Sequence, residues 1–310
     1  MHIYCSIINF VNIFLLILIF ILSEDKPLTL FVDSGSTKSE WIVMDTKGAI
    51  VFEIKTEGIN PAIHSLDYIT LTIQDTIKKF PFTNSPLYVN FYGAGCNTDY
   101  AIDLISSAFS FLPEGSSIKV ESDMAAAAFA LYGDGEGIAC ILGTGSNSCH
   151  WKAGKVIDQV PSLGFILGDE GSGSALGKRL LNGIFKRQLS DEITDLFFKA
   201  YPLSVADIIQ KVYKNESPNR FLAQFTHFLK DNIDKIEIRN LVKGEFMNFI
   251  HKNILPYSPS SGLSIGFVGS VAFHFEDILK ETLTGFPFQI SKILKSPLEG
   301  IKFNFSHVKN

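Results

Sequence analysis

Gly143-Thr144-Gly145-Ser146-Asn147 leaves the apolar run Ile138–Leu142, and after a short hairpin comes Gly164-Phe165-Ile166-Leu167-Gly168-Asp169-Glu170-Gly171-Ser172-Gly173. Of the 24 glycines in the chain, eleven lie between Gly133 and Gly177. Glycine costs backbone entropy, so such density calls for positive φ angles or for close approach of the backbone to something. A turn that leaves a buried strand as Gly-Thr-Gly-Ser points N–H groups and hydroxyls into a concavity suited to an anion such as phosphate. One Gly-x-Gly alone marks a tight loop. Two such turns flanking one strand, with carboxylates between them, point to a phosphate site.

The same design recurs upstream. Leu28–Val32 is an apolar strand running into Asp33-Ser34-Gly35-Ser36-Thr37-Lys38, and Glu40–Met44 and Ala49–Lys55 are the next two strands. Helical spacing covers Ile63 to Phe80. The strand Leu87–Tyr92 ends in Gly93-Ala94-Gly95-Cys96, and Tyr100–Phe111 reads as a helix. Ser117–Val120 is a strand closing at Glu121-Ser122-Asp123, before the alanine-rich helix Met124–Leu131. The pattern then restarts with strand Ile138–Leu142 and the hairpin of Ser148–Lys152 with Lys155–Val160. A helical insertion follows from about 174 to 255, whose stripe Phe221, Phe225 and Phe228 is core packing. Strand Leu263–Val268 runs into Gly269-Ser270, a helix continues to Leu283, and a last strand and helix occupy the chain from Phe288.

Three antiparallel strands, then alternating helix and strand, twice over, predict an α/β fold of two duplicated lobes facing each other across a cleft. The expected division is an apolar segment 1–26, an N-terminal lobe 27–121, and a C-terminal lobe 122–310 that carries the insertion.

Composition narrows the function. With 310 residues, 46% of them hydrophobic, the chain can bury one large core or two medium ones. A net charge of −5 leaves no basic surplus to neutralise nucleic-acid phosphates, so no nucleic-acid partner is expected. Bound phosphate must then be held by backbone dipoles and a metal. Cys5, Cys96, Cys140 and Cys149 form no Cys-x-x-Cys pair, and read as buried thiols in a reducing compartment. The run from Ile3 to Leu22 is about long enough to span a bilayer, yet it lacks a preceding Lys or Arg and a small-residue cleavage site. Two readings stay open: an anchor that leaves the following domain in the cytoplasm, or a start codon set too early. A membrane is a partner only under the first. The sequons at Asn215 and Asn304 carry no meaning in a cytoplasmic protein.

Several strand ends carry candidate chemistry. Asp33 precedes a hairpin able to wrap a polyphosphate while its carboxylate holds Mg²⁺, directly or through water; its alternative is a solvated turn residue. Thr144 and Ser146 form the equivalent hairpin, and Gly266, Gly269 and Ser270 mark a third glycine-bearing strand end. Asp123, between strand and helix, is an N-cap, a general base taking the proton of a hydroxyl that attacks phosphorus, or both. Asp169 and Glu170 either bind substrate hydroxyls or cap the following helix. No Walker A loop is present, because Gly171 to Gly177-Lys178 has one residue too many between glycines and Arg179 where Ser or Thr is needed.

In order, Asp33–Thr37, Gly143–Ser146 and Gly266–Ser270 resemble the two phosphate motifs and the adenosine motif of the actin/hexokinase/Hsp70 ATPase superfamily. Gly143–Asn147 with Gly168–Ser172 resembles the BadF/BadG/BcrA/BcrD-type ATPases and the N-acetylglucosamine kinases in particular. The resemblance spans Leu28 to the C-terminus. It implies two ribonuclease-H-like lobes around a nucleotide cleft, ATP with Mg²⁺, and phosphoryl transfer to a hydroxyl of N-acetylglucosamine or a related amino sugar. Position by position, it implies ATP contacts at Asp33, Gly35, Ser36, Thr37, Gly143, Thr144, Gly145, Gly266, Gly269 and Ser270, with Mg²⁺ at Asp33. Asp123 would be the general base, and Asn60, Ser146, Asn147, Gly164 and Asp169 the sugar contacts. A second copy of the chain is a further candidate partner. One departure bears on the sugar: amino-sugar kinases commonly place Gly-Trp-Gly where this chain has Ser162-Leu163-Gly164. The alternative is an ATPase that drives electrons into a partner enzyme through an iron–sulfur cluster held by a cysteine pair from each subunit; no such widely spaced pair is present.

Overall fold

The computed structural model describes residues 28–35, 38–81, 85–214, 217–257 and 262–307. The apolar run 3–22, together with Ser36 and Thr37, lies outside the described residues. The chain divides into two compact units that meet between Ser122 and Asp123.

The first unit contains β1 (Leu28–Ser34), β2 (Lys38–Met44), β3 (Ile50–Glu57), α1 (Leu66–Ile77), β4 (Leu87–Gly93), α2 (Asp99–Ala108) and β5 (Ser117–Ser122). Its sheet has the order β3-β2-β1-β4-β5. β1 pairs antiparallel with β2 and parallel with β4. As the central strand it is covered on both faces, which is why Leu28–Val32 reads as an apolar run interrupted only by Thr29. Edge strand β3 alternates instead. Helix α1 is shorter than its apolar spacing predicts. Asn60 accepts the N–H groups of Ile63 and His64 in a separate turn, and Ser65 then caps the helix by accepting from Tyr68 N–H at 3.4 Å. Ile69, Ile73 and Ile77, at i, i+4 and i+8, pack into a core with Leu30, Val32, Trp41 and Phe91.

The second unit repeats the plan. It runs α3 (Asp123–Tyr132), β6 (Glu136–Leu142), β7 (Ser146–Lys152), β8 (Lys155–Asp158), the short α4 (Gly164–Leu167) and α5 (Gly173–Phe185). Helices α6 (Asp191–Ala200), α7 (Val205–Tyr213), α8 (Pro218–Ala223), α9 (Thr226–Asp231) and α10 (Ile236–Phe249) continue the insertion. A π-helical turn Ile250–Ile254 and a 3-10 turn Leu255–Tyr257 end it. Then come β9 (Ser264–Val268), α11 (Ser270–His274), α12 (Glu276–Leu283), β10 (Gln289–Leu294) and α13 (Pro297–His307). The sheet order β8-β7-β6-β9-β10 matches the first sheet strand for strand, with two antiparallel and two parallel pairings in the same places. Duplication of the α/β unit is therefore a property of the backbone.

Helix α3 is alanine-rich because it is packed on two sides. The β6 sheet lies against it, and α13 approaches so closely that a Cβ on Gly300 would stand 2.2 Å from the Ala130 carbonyl oxygen. In the insertion, Phe197 meets Phe225 and Phe228 with ring centroids 5.6 and 5.5 Å apart, making the phenylalanine stripe core. The helix expected to run unbroken to Leu283 is split at Phe275, which turns into the core with φ −114°.

Gly177, which stands inside the Walker-like spacing, is a packing glycine in the middle of α5. A Cβ there would lie 1.9 Å from the Leu222 carbonyl oxygen of α8. Alanine ordinarily stabilises a helix interior over glycine by about 1 kcal/mol. Here overpacking should reverse the sign, and Gly177→Ala should lose about 1–3 kcal/mol in urea unfolding. A stabilised variant would contradict the close α5–α8 contact.

Candidate active site

In the first unit the parallel register sets Asp33 beside Tyr92 and Ser34 beside Gly93, at the carboxyl ends of β1 and β4. This is the end of an open α/β sheet where ligands bind. Asp33 is half-buried, and its antiparallel partner is Glu40. Burial works against the Glu40 carboxylate, but Lys55 at 3.0 Å and Lys38 at 3.1 Å hold its pKa below the ordinary value. Glu40 therefore carries a compensated charge next to Asp33. Gly35 N–H donates to the Lys38 carbonyl at 2.9 Å. Among the described residues a Cβ on Gly35 would meet nothing closer than 3.7 Å, and its φ is not left-handed. Neither packing nor backbone conformation demands this glycine.

Ser34 ties a second segment to the hairpin. Its buried hydroxyl accepts the Ile59 N–H at 2.9 Å, donates to the Ile59 carbonyl at 2.8 Å, and lies 2.6 Å from the Ser39 hydroxyl. Asn60 follows directly. Its Oδ1 accepts the Ala62 N–H at 2.9 Å, and its backbone N–H donates to His64 Nδ1 at 3.2 Å. Gly95, at φ 83°, has no room for a side chain, because a Cβ would lie 2.4 Å from Asn60 Oδ1. Asp33, Gly35 and Asn60 are thus brought together through one serine that sequence reading passed over. A lone Ser bonded to a residue 25 positions away leaves no local signature.

The second unit builds its hairpin more tightly. Gly143 N–H donates to the Gly145 carbonyl at 2.9 Å. The first N–H groups of α5 go back to this turn, Gly173 to the Gly143 carbonyl at 2.8 Å and Ser174 to the Thr144 carbonyl at 3.0 Å. Gly143 repeats the behaviour of Gly35: a Cβ would meet nothing closer than 4.0 Å among the described residues, and φ is ordinary. Thr144 is exposed beside it. Gly145 is different, because Asp169 presses on it. A Cβ there would stand 3.0 Å from the carboxylate, whose Oδ1 accepts the Ser146 N–H at 3.1 Å.

Asp169 is buried and left-handed, at φ 55°, a conformation that Asp tolerates and most residues avoid. Burial pushes its carboxyl above the ordinary value, against the pull of the Ser146 and Ser162 hydrogen bonds. Ser162 Oγ stands 3.1 Å from the Ser146 carbonyl and 3.4 Å from Asp169 Oδ1. Glu170 points elsewhere, with Lys252 Nζ at 2.9 Å and Asn253 Nδ2 at 3.2 Å on its two oxygens. Neither acid caps α5: Ser172 does, accepting the Ala175 N–H at 3.2 Å. Asn147 Oδ1 accepts from Ser148 N–H and from Gln159 Nε2, and Gly164 is left-handed at φ 70° in the same loop as Asp169.

Asp123 opens α3. Its Oδ1 accepts the N–H of the next residue, Met124, at 2.9 Å, whereas a capping side chain reaches the second or third N–H. Burial raises its pKa. At the far end of α3, Tyr132 Oη bonds the carbonyls of Ile138 and Ser264, near the starts of β6 and β9. The helix therefore runs against those strands, and Asp123 lies toward the ends from which Gly143 and Gly269 emerge. Gly269, at φ 125°, abuts the same junction, where a Cβ would stand 2.3 Å from the Leu142 carbonyl oxygen. Ser270 is exposed at the start of α11. Gly266 sits inside β9, where Leu131 and Ser291 fill the space that a side chain would need.

No family model and no curated protein matches the chain. Solved structures do. A Porphyromonas gingivalis protein provisionally assigned as an N-acetylglucosamine kinase is 37% identical with a TM-score of 0.81, the match covering 90% of this chain and 98% of that one. A Chromobacterium violaceum protein with the same provisional assignment is 14% identical with a TM-score of 0.70, over 90% and 98% of the two chains. A ROK-family glucokinase from Streptomyces griseus, solved with glucose and AMPPNP, is 16% identical with a TM-score of 0.53, over 90% and 97%. The last two show likeness of fold alone.

Ser34→Ala should cost about 1–3 kcal/mol in urea unfolding, since it leaves the buried Ile59 N–H and carbonyl without their partner. An unchanged midpoint would mean that Ser34 does not hold the Asn60 segment.

Proposed function

The chain belongs to the N-acetylglucosamine kinase family of the actin/hexokinase/Hsp70 ATPase superfamily, and we propose that it transfers the γ-phosphoryl group of ATP to a hydroxyl of N-acetylglucosamine or a close relative. The observation that carries this reading is the pair Gly35 and Gly143. They occupy equivalent places after the first strand of each duplicated sheet, and nothing within the described chain requires either to be glycine. The N–H groups of Gly35 and Gly143 themselves go to the Lys38 and Gly145 carbonyls, and the open backbone around them suits close approach of phosphate oxygens to the rest of each turn.

Thr37 and Thr144 are the proposed ATP contacts, and Asn60, Ser146, Asn147, Gly164 and Asp169 the proposed sugar contacts. Mg²⁺ fits the donor chemistry of the first turn. Asp33 offers a hard carboxylate oxygen, and among the described residues no group of three or more His, Cys, Asp or Glu forms a ready-made metal cage. That suits an ion that keeps several waters and is held by one carboxylate plus phosphate oxygens. When bound, Mg²⁺ supplies charge neutralisation at the phosphates. Asp123 accepts the hydroxyl proton as the sugar oxygen bonds to phosphorus and the bond to the ADP oxygen breaks. Its raised pKa makes it a stronger base than an exposed carboxylate. Asp169, buried and braced on the Gly145–Ser146 turn, holds sugar hydroxyls next to the phosphate turn. Leu163, 61% exposed, offers an apolar wall to an N-acetyl methyl or a sugar face. We place the transfer at the 6-hydroxyl and the enzyme in the cytoplasm, where ATP is available; among the described residues no helix is long and apolar enough to cross a membrane.

The electron-activator alternative is disfavoured by the thiols. Cys96, Cys140 and Cys149 are all buried. Burial pushes Cys149 up to about 12 and Cys140 well above its ordinary value, the reverse of what a cluster-binding thiolate needs.

A coupled ADP-release assay over amino sugars, hexoses and muropeptide sugars tests the proposal. Sugar-stimulated turnover should fall by about 10²–10⁴-fold in Asp123→Asn. No stimulation by any sugar would overturn the kinase reading, and an active variant would overturn the base assignment.

The same variant has an opposite effect on stability. A carboxyl whose folded pKa is raised penalises the fold once it ionises, so its stabilising contribution is lost as pH rises through that pKa. Asp123→Asn should match wild type in strong acid and become the more stable protein as pH climbs above the ordinary carboxylate range of about 4. Equal stability at every pH would show that Asp123 is not desolvated.

A further inference from the structure

We propose that the π-helical turn Ile250–Ile254 and Tyr257 set the shape of the loop 160–170, which makes Asn253 and Tyr257 positioning residues for the sugar. The inference rests on the reading of Gly164 and Asp169 as sugar contacts.

After Phe249 the helix widens, and Leu255 N–H donates to the Ile250 carbonyl five residues back. Such insertions persist where the altered side-chain directions are put to use. Here the use is visible on both sides of one loop. Lys252 Nζ and Asn253 Nδ2 take the two oxygens of Glu170, at the end of the loop next to Asp169. At the other end, Tyr257 Oη accepts the Val160 N–H at 2.8 Å. Between these, Tyr257 Oη and Ser148 Oγ are 2.8 Å apart, and Ser148 Oγ donates to the Asn253 carbonyl at 2.8 Å. Each hydroxyl has one proton, so the chain has a single direction: Val160 N–H to Tyr257, Tyr257 O–H to Ser148, Ser148 O–H to the Asn253 carbonyl. Burial pushes the Tyr257 phenol up to about 12, which keeps that proton in place at neutral pH.

What the chain holds is not core. Leu163, Ile166 and Leu167 are 61%, 73% and 73% exposed, so in the middle of the loop, the short α4, Phe165 is the side chain that packs against the core. Lys178 Nζ adds one tie, to the Phe165 carbonyl at 3.1 Å. Ser148 and Asn253, by contrast, are buried. A largely exposed loop whose ends are fixed to the π turn and to the 3-10 turn that follows it takes much of its shape from those ends. Gly164, Ser162 and Asp169 lie on it.

Tyr257→Phe keeps the ring and removes the hydroxyl. Amide exchange should rise about tenfold at Val160 and through 160–170, the effect of one lost hydrogen bond, while β9 exchanges as in wild type. In turnover, KM for the sugar should rise about tenfold with kcat and KM for ATP within twofold, the pattern of a lost binding geometry. Glu170→Gln should act in the same direction from the other end, and covers the case in which Tyr257→Phe does not fold. The exposed Tyr213→Phe is the control and should change neither readout. Wild-type exchange at 160–170 in both variants overturns the inference, as does exchange raised evenly across 123–307. A wild-type enzyme that no sugar stimulates defeats the kinase reading, while the exchange data still decide whether the turn shapes the loop.

Discussion

The contact between Asp169 and the turn at Gly145–Ser146 is the constraint on which the site depends. It removes the room for a side chain at Gly145 and takes the Ser146 N–H, with Asp169 itself in a left-handed conformation. A buried carboxylate with a raised pKa and a sparsely populated φ costs the fold stability. Such costs persist where the surrounding structure fixes them and where chemistry uses them. The effect here is to tie the Gly143–Ser146 turn, proposed to take phosphate, to the loop proposed to take the sugar, so that groups that must meet within a bond length are not left to independent loops.

Duplication supplies the other half of the logic. Each unit ends its first strand in a glycine-bearing turn, but the two turns are braced differently. The first is tied through Ser34 to the segment carrying Asn60. The second is tied to the N-terminus of α5 and to Asp169. In both, the N–H groups and carbonyls that stabilise the turn point back into the chain, and the glycine that faces outward has space around it.

The central strands were legible because buried strands are largely apolar runs, Leu28–Val32 leading straight into Asp33-Ser34-Gly35 and Ile138–Leu142 into Gly143-Thr144-Gly145-Ser146. The phenylalanine stripe of the insertion was legible for the same reason, as apolar periodicity. What escaped sequence reading was set by distant partners. Nothing in the string around His251-Lys252-Asn253 marks a π turn, and nothing around Phe275 marks a broken helix. Asp169 and Glu170, adjacent acids before a helix, looked interchangeable. One is buried against a turn and the other is spent on Lys252 and Asn253, while Ser172 does the capping.

The reading turns on whether the γ-phosphoryl group goes to a hydroxyl oxygen of the sugar and not to water. Phosphorus NMR of the wild-type protein with ATP, Mg²⁺ and N-acetylglucosamine reads this directly. A kinase acting at the 6-hydroxyl gives a new phosphomonoester resonance coupled to the methylene protons of the sugar, growing in step with ADP. Growth of ADP with inorganic phosphate alone would contradict that reading.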